Sequence, residues 1–340
     1  MKWSVRHGDC RELMAQMDEN SIDAIVTDPP YGLGFMGKDW DHGIPGEHFW
    51  AEALRIAKPG AHLLAFGGTR THHRLICAIE DAGWEIRDCL SWLYGSGFPK
   101  SKNIGGGFGT ALKPAWEPIV LARKPLIGTV AANVQQFGTG AVNVDGCRIG
   151  ADLITTNAKK RGSSFTSVGS GHGFNGVDES SHFGRWPANV LLDENAAAML
   201  DEQSGQRTSG ELGIRTFTTD KTFRGIRPLG VPETGFGDSG GASRFFYTSK
   251  SSRSDRTEDG ITDNRHPTVK PVELMRWLIR LVTPPGGTVL DPFAGSGSTG
   301  VAAIAEGFNF IGLELQEEYV QIARARVANV APLIAEEMNR

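Results

Sequence analysis

The chain has 340 residues, of which 39% are hydrophobic and 22% charged, and this composition suits one large domain or a domain with an insertion. Its formal net charge of -4 argues against a protein that binds nucleic acid through overall charge, although a local basic patch is compatible with it. The four cysteines lack C-x-x-C spacing, which predicts a reducing compartment and neither a zinc site nor a disulfide framework. Because no apolar stretch approaches the length of a membrane span, we expect a cytoplasmic protein without membrane contact.

The first part of the chain alternates strand and helix patterns, which predicts a mostly parallel sheet covered on both faces. Residues 3–7 predict a strand, and Asp9 with Glu12 predicts an N-cap and capping box for a helix that extends to residue 17. Residues 22–27 form an apolar run typical of a buried strand. Such a strand would carry the residues after it to the carboxyl edge of the sheet, where open α/β folds bind ligands.

Asp28-Pro29-Pro30-Tyr31 follows this run and supplies two hydrogen-bond acceptors, a carboxylate and the carbonyl of a residue without an N–H. An exocyclic amine of a nucleobase needs such acceptors, because its delocalised lone pair must be localised before it attacks a methyl group. The two prolines fix the backbone, and Tyr31 can stack on an extruded base, a contact worth roughly 1–3 kcal/mol. The alternative is a stiff turn after a strand. The motif favours methyl transfer to a base amine.

Further strands and helices are predicted up to residue 123. A helix over 47–57, ended by Pro59-Gly60, precedes a strand over 62–66 and a helix over 71–82. Residues 84–94 and 117–123 predict a closing pair of strands. The glycine-rich residues 95–109 between them fit two structures, a mobile loop over a bound base or a hairpin connection.

From residue 125 to 265 the pattern changes to short apolar pieces separated by glycine and serine. A segment of this length without strong periodicity is usually functional or disordered. Residues 186–192 and 245–247 are apolar enough to anchor it, which argues against complete disorder. Between 207 and 256 the basic residues outnumber the acids, so the segment is either a solvated surface or a DNA-facing patch. The basic residues are Arg207, Arg215, Lys221, Arg224, Arg227, Arg244, Lys250, Arg253 and Arg256.

A second signature lies near the other end of the chain, after a helix predicted over 272–281. Residues 288–300 predict a buried strand, a glycine loop with Gly295 and Gly297, and a helix that starts near Ser298. The next strand, 308–313, ends on Glu314. Glycine is required where a backbone passes close to a cofactor, and an acid at the end of the following strand can accept both hydroxyls of a ribose. This βαβ unit predicts a cofactor that contains a ribose.

Gly295, Gly297 and Gly300 also fit the G-x-G-x-x-G fingerprint, so an NAD-dependent oxidoreductase is an alternative. After Glu314 only one helix is predicted, over 317–330, so the missing strands of the sheet must come from the N-terminus. A P-loop is disfavoured, because Ser-Thr-Gly stands where its lysine is required. S-adenosylmethionine has a ribose and an adenine but no phosphate, and it suits a glycine loop without a lysine.

Four motifs together resemble those of the beta class of DNA amino-methyltransferases: Gly8-Asp9-Cys10, Asp28-Pro29-Pro30-Tyr31, His266-Pro267-Thr268-Val269-Lys270-Pro271 and Asp291-Pro292-Phe293-Ala294-Gly295-Ser296-Gly297. In this class the catalytic motif comes first, a target-recognition region second and the cofactor motif last. The resemblance implies an α/β fold, a circularly permuted Rossmann-like sheet of an S-adenosylmethionine-dependent methyltransferase. The implied regions are a catalytic half (1–124), an inserted irregular target-recognition region (125–265) and a cofactor-binding half (266–340).

The resemblance also implies roles for individual residues. Asp28, Pro29, Pro30 and Tyr31 would be catalytic. Cofactor binding would fall to Asp9, Thr268, Lys270, Asp291, Phe293, Gly295, Gly297 and Glu314. In such enzymes the acid of Gly-Asp-Cys lies near the adenine of S-adenosylmethionine, and the threonine and lysine of the third motif approach its methionine carboxylate. No metal is implied.

Double-stranded DNA is the substrate that the resemblance implies, in a site-specific methyltransferase of the kind found in restriction-modification, and it allows a homodimer. Residues 111–118 and 185–189 also resemble those of members borne by phages and mobile elements, so we expect a bacterial or phage-infected cytoplasm. Because the motif begins with Asp28 where cytosine enzymes more often have serine, the resemblance favours N6 of adenine over N4 of cytosine. A non-catalytic DNA-binding protein would explain only the basic segment.

Overall fold

The structure is a computed structural model, which describes residues 1–34, 43–97, 101–159, 177–208, 238–250, 264 and 269–338. Its centre is a nine-stranded sheet. In spatial order the strands are β1 (Trp3–His7), β15 (Asn309–Glu314), β14 (Thr288–Asp291), β2 (Ile22–Thr27), β3 (Ala57–Phe66), β7 (Trp116–Arg123), β4 (Glu85–Leu93), β10 (Val190–Asp193) and β13 (Tyr247–Ser249). The helices are α1 (Cys10–Ala15), α2 (Glu47–Ile56), α3 (His72–Asp81), α4 (Val130–Phe137), α5 (Glu194–Ser204), α6 (Val272–Val282), α7 (Ser298–Ala305) and α8 (Glu317–Met338).

The sheet is parallel except at β7, which runs antiparallel to both of its neighbours, β3 and β4. The two strands of the second signature, β14 and β15, lie between β1 and β2. The missing strands of that unit therefore do come from the N-terminus, as predicted. This mixed α/β sheet, with helices on its faces, confirms the predicted Rossmann-like methyltransferase fold class.

Each face of the sheet carries its own hydrophobic layer. Ala24 and Val26 of β2 pack in the layer that contains α6, α7 and α8, while Ile25 packs in the layer that contains α1, α2 and α3. All six residues of β2 are buried, as expected for a central strand covered on both sides. Because its two neighbours are also buried, the carboxyl end of β2 has a fixed position in the molecule.

Strand β3 departs from the prediction, because it begins at Ala57 and continues through Pro59-Gly60 instead of starting at residue 62. Its register with β2 shifts there, so that Ile22 pairs with Ala57 and Ala24 pairs with His62. The Pro59 carbonyl accepts hydrogen bonds from Asn133 Nδ2 (2.9 Å) and from the Thr139 hydroxyl. A bulge held from outside the strand thus replaces the break that the proline and glycine predict.

The part of the chain from 125 to 265 contributes β10 and β13 to one edge of the sheet. Leu191 and Leu192 are buried there, and the Tyr247 ring stacks on Trp277 of α6 with ring centroids 4.9 Å apart. These contacts confirm that the two apolar pieces anchor the segment, although Trp186 itself is 69% exposed. The division of the chain at 124 and 266 stays a prediction.

Small antiparallel pairs complete the described fold: β5 (Asn103–Gly105) with β6 (Phe108–Gly109), β8 (Ile149–Lys159) with β9 (Val177–Arg185), and β11 (Arg207–Thr208) with β12 (Ser239–Gly240). The β5–β6 pair lies within the glycine-rich residues 95–109, and the choice between a mobile loop over a bound base and a hairpin connection stays a prediction. Within the described residues, no helix combines the length and the apolar character that a membrane crossing needs.

Candidate active site

A cleft of about 1630 Å³ lies at the carboxyl edge of the parallel strands. Both sequence signatures line it, although more than 250 residues separate them. The predicted site residues among its walls are Asp9, Asp28, Pro29, Pro30, Tyr31, Lys270, Asp291, Phe293, Gly295 and Glu314. Gly297 lies one residue along from the lining residue Ser296, and Thr268 falls outside the described residues. The structure therefore brings two separate motifs into one site.

Strand order explains why the motifs meet. Asp28 directly follows β2, Asp291 ends β14 and Glu314 ends β15, and these three strands are parallel neighbours. The carboxyl ends of parallel strands share one edge of a sheet, so the three acids lie along that edge. Tyr31 completes the turn after β2, against the backbone of Gly68, where an added Cβ would come within 3.1 Å of its ring.

The Asp28–Tyr31 motif, predicted to be catalytic, belongs to a closed cluster of polar groups. Lys270 Nζ lies 2.8 Å from Asp28 Oδ2 and 3.1 Å from Glu117 Oε2, and it donates to the Tyr31 hydroxyl at 3.1 Å. The same hydroxyl donates to Asp28 Oδ1 at 2.8 Å. An ammonium has three N–H donors, and here each has an oxygen acceptor. Lys270 thus contacts the catalytic motif, and its predicted contact with a methionine carboxylate stays a prediction.

Burial and charge act against each other in this cluster. Burial by itself would lower the pKa of Lys270, but the carboxylates of Asp28 and Glu117 raise it above its ordinary value. The ammonium is therefore charged at neutral pH. Burial and the same two carboxylates raise the pKa of Tyr31 well above its usual 10, so its hydroxyl keeps its proton. The predicted stacking of Tyr31 on a base stays a prediction.

Asp291 is an internal carboxylate, only 2% exposed. Thr27 Oγ1 and the Phe293 backbone N–H donate to its Oδ1 at 2.6 and 3.0 Å, and Thr299 Oγ1 donates to its Oδ2 at 2.5 Å. Burial raises the pKa of Asp291 to about 6, even though these hydrogen bonds favour the ionised form. These donors belong to β2, the glycine loop and α7. Asp291 therefore fixes the cleft wall by joining these three elements with hydrogen bonds. Direct contact with a cofactor stays a prediction.

Glu314 closes the glycine loop. Its Oε2 accepts from the Gly295 backbone N–H at 2.9 Å and its Oε1 accepts from the Gln316 backbone N–H at 2.7 Å. Burial raises the pKa of Glu314, opposed by these backbone hydrogen bonds. Because a carboxylate has about four acceptor positions, the two that remain suit the hydroxyls of a ribose.

Gly297 in the loop and Gly300 in the helix after it are required for different structural reasons. Gly297 has φ +85°, and a Cβ there would come within 2.9 Å of the Ala323 backbone in α8. Gly300 lies inside α7, where a Cβ would come within 2.5 Å of the Phe310 ring. The third glycine of the G-x-G-x-x-G pattern is therefore a packing position between α7 and β15, the role that this glycine also has in the dinucleotide fingerprint.

Asp9 caps α1, as its sequence context predicts. Its side chain accepts from the Arg11 backbone N–H at 2.9 Å and pairs with the Arg11 guanidinium at 2.6 Å. This hydrogen bond with Arg11 lowers the pKa of Asp9. The helix ends at Ala15, two residues earlier than predicted. Asp9 also lines the cleft, but its proposed place near an adenine ring stays a prediction.

Two cleft residues had no predicted role. Phe49 of α2 stacks on Phe293, with ring centroids 4.9 Å apart and planes inclined by 15°, and forms an aromatic wall beside the glycine loop. Glu117 at the start of β7 joins the Lys270 cluster. Phe49 belongs to an ordinary amphipathic helix pattern, so only the fold reveals its position. Glu117 follows Trp116 in a segment whose sequence signals only a family resemblance and no role for single residues.

The cleft fits a nucleoside-type cofactor together with a second ligand. Its volume exceeds the roughly 300–1,000 Å³ of a typical small-molecule pocket. The part near Glu314, Phe293 and the glycine loop offers an aromatic wall and a carboxylate, which suit an adenine and a ribose. The part near Asp28 and Tyr31 offers the amine acceptors. Within the described residues, no group of His, Cys, Asp or Glu is arranged to hold a metal ion.

Comparison with known proteins identifies a family. Residues 22–325 match the profile of the N6/N4 DNA methylases, described as "DNA methylase". That range holds the catalytic motif, the Lys270 cluster and the glycine loop.

Individual relatives are more distant or match over shorter ranges. The DNA adenine methyltransferase YhdJ of Escherichia coli K12 is 45% identical over 73 residues, which are 22% of this chain and 25% of that protein. The chain spans less than a third of the length of two curated relatives that it matches.

Among solved structures, the cytosine-N4-specific PvuII DNA methyltransferase is 16% identical, with 98% of this chain and 93% of that chain covered and a TM-score of 0.49. The complex of M1.HpyAVI with S-adenosylmethionine is 19% identical, with 95% and 99% covered and a TM-score of 0.45. Neither solved structure is similar enough to assign a target base.

Proposed function

Since the chain belongs to the N6/N4 family of DNA methylases, we propose that it transfers a methyl group from S-adenosylmethionine to the exocyclic amine of a base in double-stranded DNA. One observation carries the proposal. The amine acceptors of Asp28-Pro29-Pro30-Tyr31 and the glycine loop with Glu314 line the same cleft, so a methyl donor and an amine can meet there. A base must leave the duplex to enter such a cleft, at a cost of a few kcal/mol.

S-adenosylmethionine, when bound, supplies an electrophilic methyl group and leaves as a thioether with the electron pair of the broken S–C bond. Asp28 accepts one hydrogen of the target amine, and the Pro29 carbonyl accepts the other. These contacts localise the lone pair of the nitrogen, which forms the new N–C bond and becomes cationic. Asp28 then takes up the proton that this nitrogen releases. Glu314 holds the ribose, and Phe49 with Phe293 borders the adenine.

N6 of adenine is the target that we favour. The motif begins with Asp28, and the 73-residue match is to a DNA adenine methyltransferase. The alternative is N4 of cytosine, the target named for the PvuII enzyme. Both amines need the same acceptors, so the chemistry of the cleft does not separate them. Residues 125–265 would select the DNA sequence, beside the two ends of the chain that carry the reaction.

The deciding experiment is mass analysis of nucleosides from DNA of a cell that expresses the protein, compared with an empty-vector control. N6-methyl-2′-deoxyadenosine is the expected product, and N4-methyl-2′-deoxycytidine would support the alternative. Calorimetry with S-adenosylmethionine and with NAD tests the cofactor separately. A protein that bound NAD and ignored S-adenosylmethionine would contradict the proposal.

Asp28→Ala tests the catalytic role. The variant loses the carboxylate that accepts one amine hydrogen and takes up the released proton, while the Pro29 carbonyl remains, so we expect methyl transfer to fall by at least a hundredfold, roughly the contribution of a positioned proton acceptor. Affinity for S-adenosylmethionine should be unchanged, because Glu314 and the glycine loop remain intact. Single-turnover methylation and calorimetry measure the two quantities. Turnover close to that of the wild type would exclude Asp28 from the mechanism.

A further inference from the structure

Glu117 approaches the catalytic motif from outside it. Its side chain is 22% exposed, and its Oε2 lies 3.1 Å from Lys270 Nζ and 3.3 Å from the hydroxyl oxygen of Tyr31, whose single proton is donated to Asp28. It belongs neither to the Asp28–Tyr31 turn nor to the glycine loop. A second carboxylate therefore faces the ammonium that pairs with the catalytic carboxylate Asp28.

The antiparallel direction of β7 places Glu117 there. Ile119 pairs with Phe66 at the carboxyl end of β3, so the start of β7 lies at the edge where the parallel strands end. The Gly67 backbone N–H donates to the Pro118 carbonyl at 2.9 Å and fixes the strand beside the catalytic turn. On the other neighbour, Glu117 pairs in register with Trp92 of β4. The position of the carboxylate is thus set by the sheet on both sides.

The formal charges of the cluster do not cancel. Asp28 and Glu117 contribute two negative charges and Lys270 one positive charge, which leaves the cluster with a net charge of -1. Lys270 is only 11% exposed, so little water screens these charges. Without Glu117, the ammonium would face Asp28 alone and neutralise it. Among the described residues, Tyr94 interacts with the charges of Glu117 and Lys270, and Asp291 interacts with that of Asp28.

We propose that Glu117 is a positioning residue for methyl transfer: it shares the Lys270 ammonium, so that Asp28 keeps a negative charge for the amine that becomes cationic. This inference rests on the proposed function. During the reaction the amine nitrogen gives its lone pair to the methyl carbon, carries a positive charge and then releases a proton to Asp28. A fixed negative charge stabilises that developing cation before the atoms move. Lys270, held between two carboxylates, does not have to leave the site when the amine enters.

Glu117→Gln tests the charge at nearly constant shape, and Glu117→Asp is the matched variant that keeps the charge. We expect the single-turnover rate at saturating S-adenosylmethionine to fall tenfold to a hundredfold in Glu117→Gln and to recover in part in Glu117→Asp. Affinities for S-adenosylmethionine and for the duplex should change less than twofold. A double variant, Glu117→Gln with Lys270→Gln, restores the net charge of -1, so it should methylate faster than Glu117→Gln alone.

The double variant separates charge from simple tethering. If Glu117 only holds Lys270 in place, removal of both side chains cannot give a faster enzyme than removal of one, and a double variant equal to or slower than Glu117→Gln would overturn the inference. Wild-type turnover by Glu117→Gln would overturn it as well. Wild-type protein that methylates no DNA would instead contradict the proposed function.

A second readout does not depend on activity. The chain has four tyrosines, so ¹⁹F NMR of protein labelled with 3-fluorotyrosine gives four resonances to follow against pH, with Tyr31→Phe identifying the signal of Tyr31. The Glu117 charge contributes to the raised pKa of Tyr31, after burial and Asp28. In Glu117→Gln the pKa of Tyr31 should fall towards its ordinary value. A titration curve identical to that of the wild type would show that Glu117 does not act on the cluster through its charge.

Discussion

Asp291 is the residue through which the two halves of the cleft are joined. Its carboxylate holds a threonine from the strand before the catalytic motif and another from the helix after the glycine loop. A charge at 2% exposure is poorly solvated, and this burial raises the pKa of Asp291. The hydrogen bonds of the buried carboxylate fix the geometry of the loop. The raised pKa of Asp291 makes the stability of the protein depend on pH.

Asp291→Asn removes that dependence. Because the pKa rises from 3.8 to about 6 on folding, the native state holds the proton more tightly, and stability is lost as the pH rises through this window. Between pH 4 and pH 6 the free energy of unfolding of the wild type should fall by up to about 2 kcal/mol more than that of the variant. Urea denaturation at several pH values measures both. Parallel curves would show that the Asp291 carboxyl titrates at its ordinary pKa in the folded protein.

Glu314→Ala should weaken binding of S-adenosylmethionine. The change removes up to two charge-assisted hydrogen bonds to the ribose, each worth about 1.5–3 kcal/mol, or roughly tenfold to a hundredfold in affinity. It also leaves the Gly295 and Gln316 backbone N–H groups without their carboxylate acceptor, so the variant without ligand should melt at a lower temperature. Thermal melts with and without cofactor separate the two effects. If saturating cofactor stabilises the variant as much as the wild type, Glu314 serves only the loop.

For single residues, the sequence predicts the position of those within a motif better than the position of those that come together only in the folded chain. Asp28 and Glu314 are predictable because each lies at the end of a strand, and neighbouring parallel strands end at one edge. Glu117 and Phe49 are not, because their positions depend on the register of β7 and on the packing of α2, which are long-range properties. Lys270 was predicted to face the cofactor, and its contact with Asp28 depends equally on distant parts of the chain.

Among the elements, α7 shows how a functional pattern can hide a packing requirement. Alanine at position 300 would favour the helix by about 1 kcal/mol over glycine. Its Cβ, however, would come within 2.5 Å of Phe310 and 2.7 Å of Val327, which belong to β15 and α8. Steric contact with a ring inside a packed layer outweighs the helix propensity.

Gly300→Ala should therefore destabilise the protein by about 1–3 kcal/mol, the usual cost of overpacking. Gly43→Ala is the control, since a Cβ there meets nothing within 4 Å and its φ lies outside the left-handed region. Urea denaturation of both variants beside the wild type measures the difference. A Gly300→Ala variant more stable than the wild type would mean that helix propensity dominates and that α7 shifts without cost.

Elements with a clear period were predicted within a few residues of their ends, among them α2, α3, α7 and the strands β2 and β15. Elements whose formation depends on an external contact were not. The passage of β3 through Pro59-Gly60 needs the hydrogen bonds of Asn133 and Thr139. Strands β10 and β13 are only four and three residues long, and the edge of an existing sheet stabilises them.

In the whole molecule, the two ends of the chain form one unit. Strands β14 and β15 lie between β1 and β2, so the catalytic motif and the glycine loop cannot form on separate domains. The motif order predicted this arrangement. The structure of the region between the ends was predicted only from its composition and two apolar pieces, because its sequence carries no strong hydrophobic period.

The basic residues of that region are predicted to bind DNA. Arg244 Nε lies 2.9 Å from Asp238 Oδ2, while Arg207 and Lys250 are exposed. The cluster of Arg215, Lys221, Arg224 and Arg227 lies outside the described residues. If this cluster binds phosphates, neutralising it should weaken DNA binding and flatten its dependence on salt. The slope of log affinity against log salt should become shallower by about 0.9 for each phosphate that the variant no longer neutralises, since fewer counterions are released.

The measurement compares the wild type and the neutralised variant on one methylatable duplex across a salt series. Methylation should also decrease, because weaker binding to the DNA backbone holds less of the duplex in the state where a base has left the stack. Affinity for S-adenosylmethionine is the internal control and should not change, since the part of the cleft that we propose for it is lined by residues of α2, β14, β15 and the loops after these strands. An unchanged salt slope with unchanged methylation would mean that the cluster faces solvent. The recognition surface would then have to include other residues between 125 and 265.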